Sequence, residues 1–168
     1  MARKSRELTV DDVARIVATA AAARDRAAIY ACVEAIAAET VGFVFLTTLK
    51  QDEARQAVVR VHSSNPQAYP VGGEKPYSTI KASQDALDAG EVFLAPDRDA
   101  VKAAYFDHET IFALGSTAIL NAPIRFAGRR LGTLNFCGEE HRYGPEEVRT
   151  AQILAGLLVP ALLAETGL

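Results

Sequence analysis

The feature that most constrains this chain is a change of hydrophobic period near residue 41. Before it, apolar residues recur at helical spacing: Val10, Val13, Ile16 and Val17, then Ile29, Val33 and Ile36. After it they alternate. In residues 57–63 (AVVRVHS), Val59 and Val61 point one way and Arg60 and His62 the other. In residues 130–137, Gly132, Leu134 and Phe136 oppose Thr133, Asn135 and Cys137. A helical start followed by two-fold alternation and short polar turns predicts an α/β (α+β) fold. Its centre is an antiparallel sheet of five to six strands.

The boundaries follow from local signals. Thr9, with Asp12 three residues on, caps a helix over 9–23, and Asp25 starts a second, so the opening helices span 9–39. Strands at 41–47 and 57–63 form a hairpin about a polar turn at 50–53. Residues 65–78 carry three prolines and two glycines and read as a loop. A helix over 79–88, capped near Ser78, precedes a short strand at 92–95. One or two short helices fill 97–106 and 107–114, with Asp107 as N-cap of the latter. Strands 116–126 and 130–137 join through Ala127-Gly128-Arg129. Pro145, with Glu146 and Glu147, opens a last helix over 145–166, which Pro160 should kink. We expect one domain, with sheet and pocket between 41 and 139.

Splitting the strands by alternation gives two unlike faces. One is apolar and should pack beneath the terminal helices. The other collects Thr47, Arg60, His62, Asn121, Asn135 and Cys137, mixed with Phe45 and Ile119. It holds few lysines or glutamates, and residues 65–115 are available to cover it. A mixed surface under a cap suits a small-molecule pocket better than a solvated face.

Charge narrows the partners. The net charge is −3 and no basic stripe occurs, so nucleic acid is not expected. The basic opening lacks the apolar segment of a secretory signal, and no apolar run reaches membrane-spanning length. The two cysteines, Cys32 and Cys137, show no CxxC spacing. A cytoplasmic protein without a structural disulfide is expected.

Residues 115–136 (GSTAILNAPIRFAGRRLGTLNF) resemble the C-terminal hairpin of GAF domains. The small-residue start, the apolar-x-x-Pro-apolar strand, the Gly turn and the apolar-Gly-x-apolar strand all match. Tyr143 and the helix opening Pro145-Glu146-Glu147-Val148 are similar to the family's closing helix. The resemblance implies a GAF/PAS-like sheet with terminal helices on one face and a ligand cavity on the other. It also implies a sensing role and dimerisation through the terminal helices. The Asn-Lys signature of cyclic-nucleotide GAF domains is absent before Tyr143, and neither cysteine lies where bilins attach. The free methionine-(R)-sulfoxide reductases, also stand-alone GAF proteins, use several pocket cysteines, whereas only Cys137 can face the pocket here.

The candidate ligand-binding residues are Arg60, His62, Tyr69, Tyr77, Phe106, His108, Asn121, Asn135 and Cys137. Asn121 and Asn135 on adjacent strands could orient a carboxylate, amide or heterocycle, or bond each other. Arg60 could counter an anion. Tyr69 and Tyr77 could stack on a planar ligand from a lid whose Gly72-Gly73 allows close backbone approach. If the chain is an enzyme, His62, His108 or Cys137 is the candidate catalytic group. His62, His108 and Glu109 match no metal-ligand spacing, so no metal and no other cofactor is expected. The expected ligand is a small polar or anionic metabolite. An effector protein acting in trans is the expected output.

Overall fold

The computed structural model describes residues 5–165; residues 1–4 and 166–168, with the expected end of the last helix at 166, lie outside them. Helix α1 (Val10–Ala22) begins as its sequence predicts. The Thr9 hydroxyl accepts from the Asp12 amide, and the Asp12 carboxylate accepts from the Thr9 amide. Helix α2 (Arg26–Thr40) starts on the Asp25 carboxylate, which accepts from the Ala28 amide. Its end explains one difference from expectation. Val41 and Gly42 both donate to the Ala37 carbonyl, with Gly42 at φ +75°. Residues 41 and 42 therefore close the helix, and only glycine holds that left-handed position cheaply.

The first strand, β1 (Phe45–Asp52), thus begins four residues later than expected and absorbs the polar stretch assigned to a turn. Strand β2 (Ala57–Ser63) follows. Three residues of the expected loop form an edge strand, β3 (Glu74–Pro76), where proline is tolerated because no further strand needs its amide. Ser78 does not cap a helix. A 3₁₀ turn (Tyr77–Thr79) leads into α3 (Lys81–Asp88). Strand β4 (Phe93–Ala95) precedes α4 (Arg98–Ala104), capped by Asp97, and α5 (His108–Ala113). The long hairpin β5 (Ala118–Phe126) and β6 (Arg129–Gly138) turns through Ala127 and Gly128. Both stand at positive φ, +49° and +76°, as a two-residue type I′ turn needs. Helix α6 (Pro145–Leu157) gives way to α7 (Val159–Glu165) with a bend of 44°, just before Pro160.

All neighbouring strands are antiparallel, in the order β3-β2-β1-β6-β5-β4. The two shortest strands therefore form the two edges, which limits pairing with other chains. Beneath one face lie α1, α2, α6 and α7. Leu46, Leu120, Ile124, Leu134 and Phe136 from the strands meet Ile16, Ile36, Leu154 and Leu162 there. Each fully buried side chain of this kind stabilises the fold by ~1.5–3 kcal/mol. The opposite face is covered by α3, α4, α5 and the segment after β2. Among the described residues, no single helix is long and apolar enough to cross a membrane.

Candidate functional site

The strand registers place side chains on the second face in rows. Phe45, Cys137, Ile119 and Ala95 make an apolar row. Thr47, Asn135 and Asn121 make the next, then Arg60, Leu49 and Thr133. Tyr69, Lys75, Ile80, Ser83, Gln84, Leu87, Tyr105 and Ile111 close over them. The space left between floor and cover is about 50 Å³. That is far below the ~300–1,000 Å³ of a typical small-molecule pocket. Two roomier clefts, of about 650 and 670 Å³, are open grooves elsewhere on the surface.

One polar cluster holds the cover shut. The Lys75 ammonium donates to Asp107 Oδ2 at 2.7 Å, and the Tyr69 hydroxyl donates to the same oxygen at 3.1 Å. Lys75 belongs to edge strand β3, whereas Asp107 sits in the corner between α4 and α5, which follow the opposite edge strand β4. The clasp therefore spans the width of the sheet. The Asp107 side chain makes no N-cap bond to α5, contrary to expectation, because it serves this contact. Lys75 also stands 5.5 Å from the ring centre of Tyr69 and 5.6 Å from that of Tyr105. Tyr69 in turn stacks on Phe45 and carries the Arg60 guanidinium 4.8 Å over its face.

The floor is only partly satisfied. Asn121 donates to the Tyr105 hydroxyl at 2.6 Å and Asn135 to the Thr47 hydroxyl at 3.3 Å. Arg60 Nη1 donates to the Pro70 carbonyl at 2.9 Å. Among the described residues, Arg60 Nε, Asn121 Oδ1 and Asp107 Oδ1 are buried without a hydrogen-bond partner. Each such atom costs free energy unless something occupies it, typically ~1–3 kcal/mol. The cluster holds two cations, Arg60 and Lys75, against one carboxylate. Burial lowers the Arg60 pKa, an effect partly offset by Tyr69, Asp107 and Cys137. Burial also raises the pKa of the Tyr69 and Tyr105 hydroxyls. The Cys137 thiol is pushed up to about 12, chiefly by burial, so it is protonated near neutral pH.

Of the residues singled out in the sequence, Arg60, Tyr69, Asn121, Asn135 and Cys137 line this cavity. Tyr77 lines the neighbouring 670 Å³ cleft instead. Phe106 is 63% exposed and touches the cluster only through Lys75, 5.8 Å from its ring. His108 pairs its Nδ1 with the Tyr105 carbonyl at 2.9 Å and leans on Phe112, outside the cavity lining. His62 is the clear correction. Its Nε2 lies 2.6 Å from Glu34 of α2 and its ring stacks on Tyr30, so it faces the helices. The reason is a β-bulge. Thr48 pairs with His62 but Leu49 with Arg60, leaving Val61 as an extra residue that reverses the alternation.

Lys75, Asp107 and Tyr105 are the important residues that alternation missed. None lies on a floor strand, so no period reports them. A lysine between Glu74 and Pro76 in the lid is the only sequence signal for the clasp. The two sulfurs are separated by the sheet. Cys32 packs against the helix-side core and accepts from Thr19 at 3.6 Å, while Cys137 faces the cavity.

The GAF domain sequence profile matches residues 7–162. Among curated proteins, no sequence matches the chain. Solved structures are similar across nearly its whole length. The GAF domain of a phosphoenolpyruvate-protein phosphotransferase from Coxiella burnetii has a TM-score of 0.74 at 18% identity, covering 94% of each chain. The equivalent domain from Acinetobacter gives 0.75 at 13% identity, covering 95% of each. Free methionine-R-sulfoxide reductase from Neisseria meningitidis, solved with its substrate, gives 0.72 at 17% identity, covering 99% of each. At these identities the likeness concerns the fold. Profile, topology and two-faced sheet agree: this chain belongs to the GAF domain family.

Proposed function

We propose that this GAF domain is a receptor for a small acid, bound on the floor between Arg60, Asn121 and Asn135 beneath the Lys75–Asp107 clasp. The observation that carries the reading is the unmatched polarity of a buried floor. A free guanidinium N–H and a free amide oxygen face a cover whose own cation is held by a single carboxylate. A ligand anion satisfies Arg60 and competes with Asp107 for Lys75. A hydroxyl or amino group on the same ligand satisfies Asn121 Oδ1. The closed space is too small for such a molecule, so binding proceeds through release of the clasp. That release moves β3 and the α4–α5 corner, which makes occupancy readable from outside.

In this reading the protein senses a metabolite in the cytoplasm as one GAF unit. It pairs with a second copy through its terminal helices and hands its state to an effector in trans. An enzymatic reading has less support. His62 faces away from the cavity, His108 is outside its lining, and Cys137 keeps its proton.

The test is native mass spectrometry of the purified protein, followed by affinity measurements on the acid that co-purifies. Arg60→Ala should weaken binding at least ~30-fold, because truncating one partner of a buried charged pair costs ~2–5 kcal/mol. Asn121→Leu and Asn135→Leu should each weaken it too. Unchanged affinity in all three variants would refute the placement of the site.

A further inference from the structure

A second guanidinium is buried on the same side of the sheet. Alternation puts Arg130 with Gly132 and Leu134, toward the helices. A bulge in β6 prevents this: Ile124 pairs with Gly132 but Arg125 with Arg130, so Leu131 is extra. Arg130 therefore turns to the α3 side, where its side chain is only 2% exposed. Its Nη2 donates to Gln84 Oε1 and reaches Asp88 Oδ1 at 3.0 Å. Gln51, with its amide turned to the satisfied orientation, accepts from Nη2 as well. Nη1 is buried with no partner among the described residues.

Position gives this spare nitrogen a meaning. Gln84 lines both the inner cavity and the 670 Å³ cleft outside it, where Arg130 lies. Gln84 is the residue the two linings share and so stands at their boundary, and Arg130 is bonded to it. Arg60 on β2 and Arg130 on β6 are two strands apart and about one cavity-side position apart along the strands. At strand spacings of ~4.8 Å and ~7 Å per two residues, their Cα atoms are on the order of 12 Å apart. The floor thus carries two buried guanidinium groups, each with one buried nitrogen that has no partner among the described residues, on either side of Gln84.

We propose that Arg130 is a second anion subsite and that the ligand is a two-headed acid spanning the Gln84 boundary, one anionic head at Arg60 and the other at Arg130. This rests on the receptor reading above and names the ligand class. A guanidinium matches a carboxylate or a phosphate head equally, since both offer paired oxygens to its fork. Asp88, on the exposed side, is the carboxylate that the second head displaces.

The experiment is calorimetric titration of the full chain at fixed ionic strength. The probes are the straight-chain dicarboxylates from succinate to suberate, each against the monocarboxylate of equal carbon number. A third arm, 3-phosphonopropanoate, distinguishes a phosphate head from a carboxylate head. In the wild type, at least one two-headed acid should bind tenfold or more tightly than its one-headed match. Arg130→Gln should reduce that ratio to near one while leaving monocarboxylate affinity within twofold. Asp88→Asn alters a carboxylate whose own side chain is 61% exposed, and should raise the ratio by freeing Arg130; a thermal melt run beside the titration checks that the variant stays folded.

A ratio near one at every length, or a ratio that neither variant changes, overturns the subsite. In that event the receptor reading still stands if Arg60→Ala abolishes binding of both series. Absence of binding by every acid in both series removes the two proposals together.

Discussion

Replacing Asp107 with asparagine tests the clasp directly. The substitution keeps the shape and removes the charge, which strands the Lys75 ammonium. Lys75 and Asp107 side chains are 15% and 14% exposed, so the pair is mostly but not wholly withdrawn from water. Removing one partner of a fully buried pair costs ~3–5 kcal/mol. Here water reaches the stranded ammonium in part, and the rings of Tyr69, Tyr105 and Phe106 remain within 5.8 Å of it. A net loss of ~2 kcal/mol follows, concentrated in opening of the cover rather than in global unfolding. Amide hydrogen exchange reads it. The Gly72 amide, bonded to the Arg60 carbonyl at 2.8 Å, and the Tyr69 amide, bonded to Asn65 at 2.9 Å, should exchange ~30-fold faster. Amides in the β5–β6 ladder should hold their wild-type rates. Lid amides within twofold of wild type, or equal acceleration in β5 and β6, would refute the idea that Lys75–Asp107 governs a local closure.

Three further outcomes are expected. Ala127 holds φ +49° in the β5–β6 turn, so Ala127→Gly should stabilise the protein by ~1 kcal/mol, read as a higher urea midpoint. Bonding to Arg6 holds the Asp12 carboxyl below the usual carboxylate range. The stability this gives is present above the unfolded carboxyl pKa of ~4 and is lost as pH falls through the folded value, so urea midpoints of the wild type should fall more than those of Asp12→Asn between pH 5 and about 2. His62→Ala should lower stability by ~1 kcal/mol through loss of the Glu34 and Tyr30 contacts, yet leave acid affinity unchanged, as calorimetry would show.

Much of this was legible in the sequence, for identifiable reasons. Thr9, Asp12, Asp25 and Pro145 marked helix starts because capping chemistry is local. Asn121, Asn135 and Cys137 could be assigned to a face because β5 and β6 alternate without interruption over that stretch. Alternation failed where an extra residue entered a strand. Val61 turned His62 toward the helices, and Leu131 turned Arg130 away from them. Neither extra residue is itself a glycine, although Gly132 directly follows Leu131. The clasp was illegible for a different reason. Lys75 and Asp107 are 32 residues apart and meet only because the sheet brings opposite edges under one cover. Asp107 also sat where an N-cap was the simpler use of an aspartate, and a competing tertiary contact took it instead.

The bulge in β2 has a mechanical consequence. Arg60 reaches the cavity on one side of the sheet, and two residues later His62 grips Glu34 of α2 on the other. The strand is therefore a short lever with a handle in each layer and its fulcrum at Val61. A twist applied at the guanidinium reaches the α2 helix through two peptide units of backbone, without passing through the packed interior. Replacing His62 alone removes the handle on the α2 side and leaves Arg60 in place on the other.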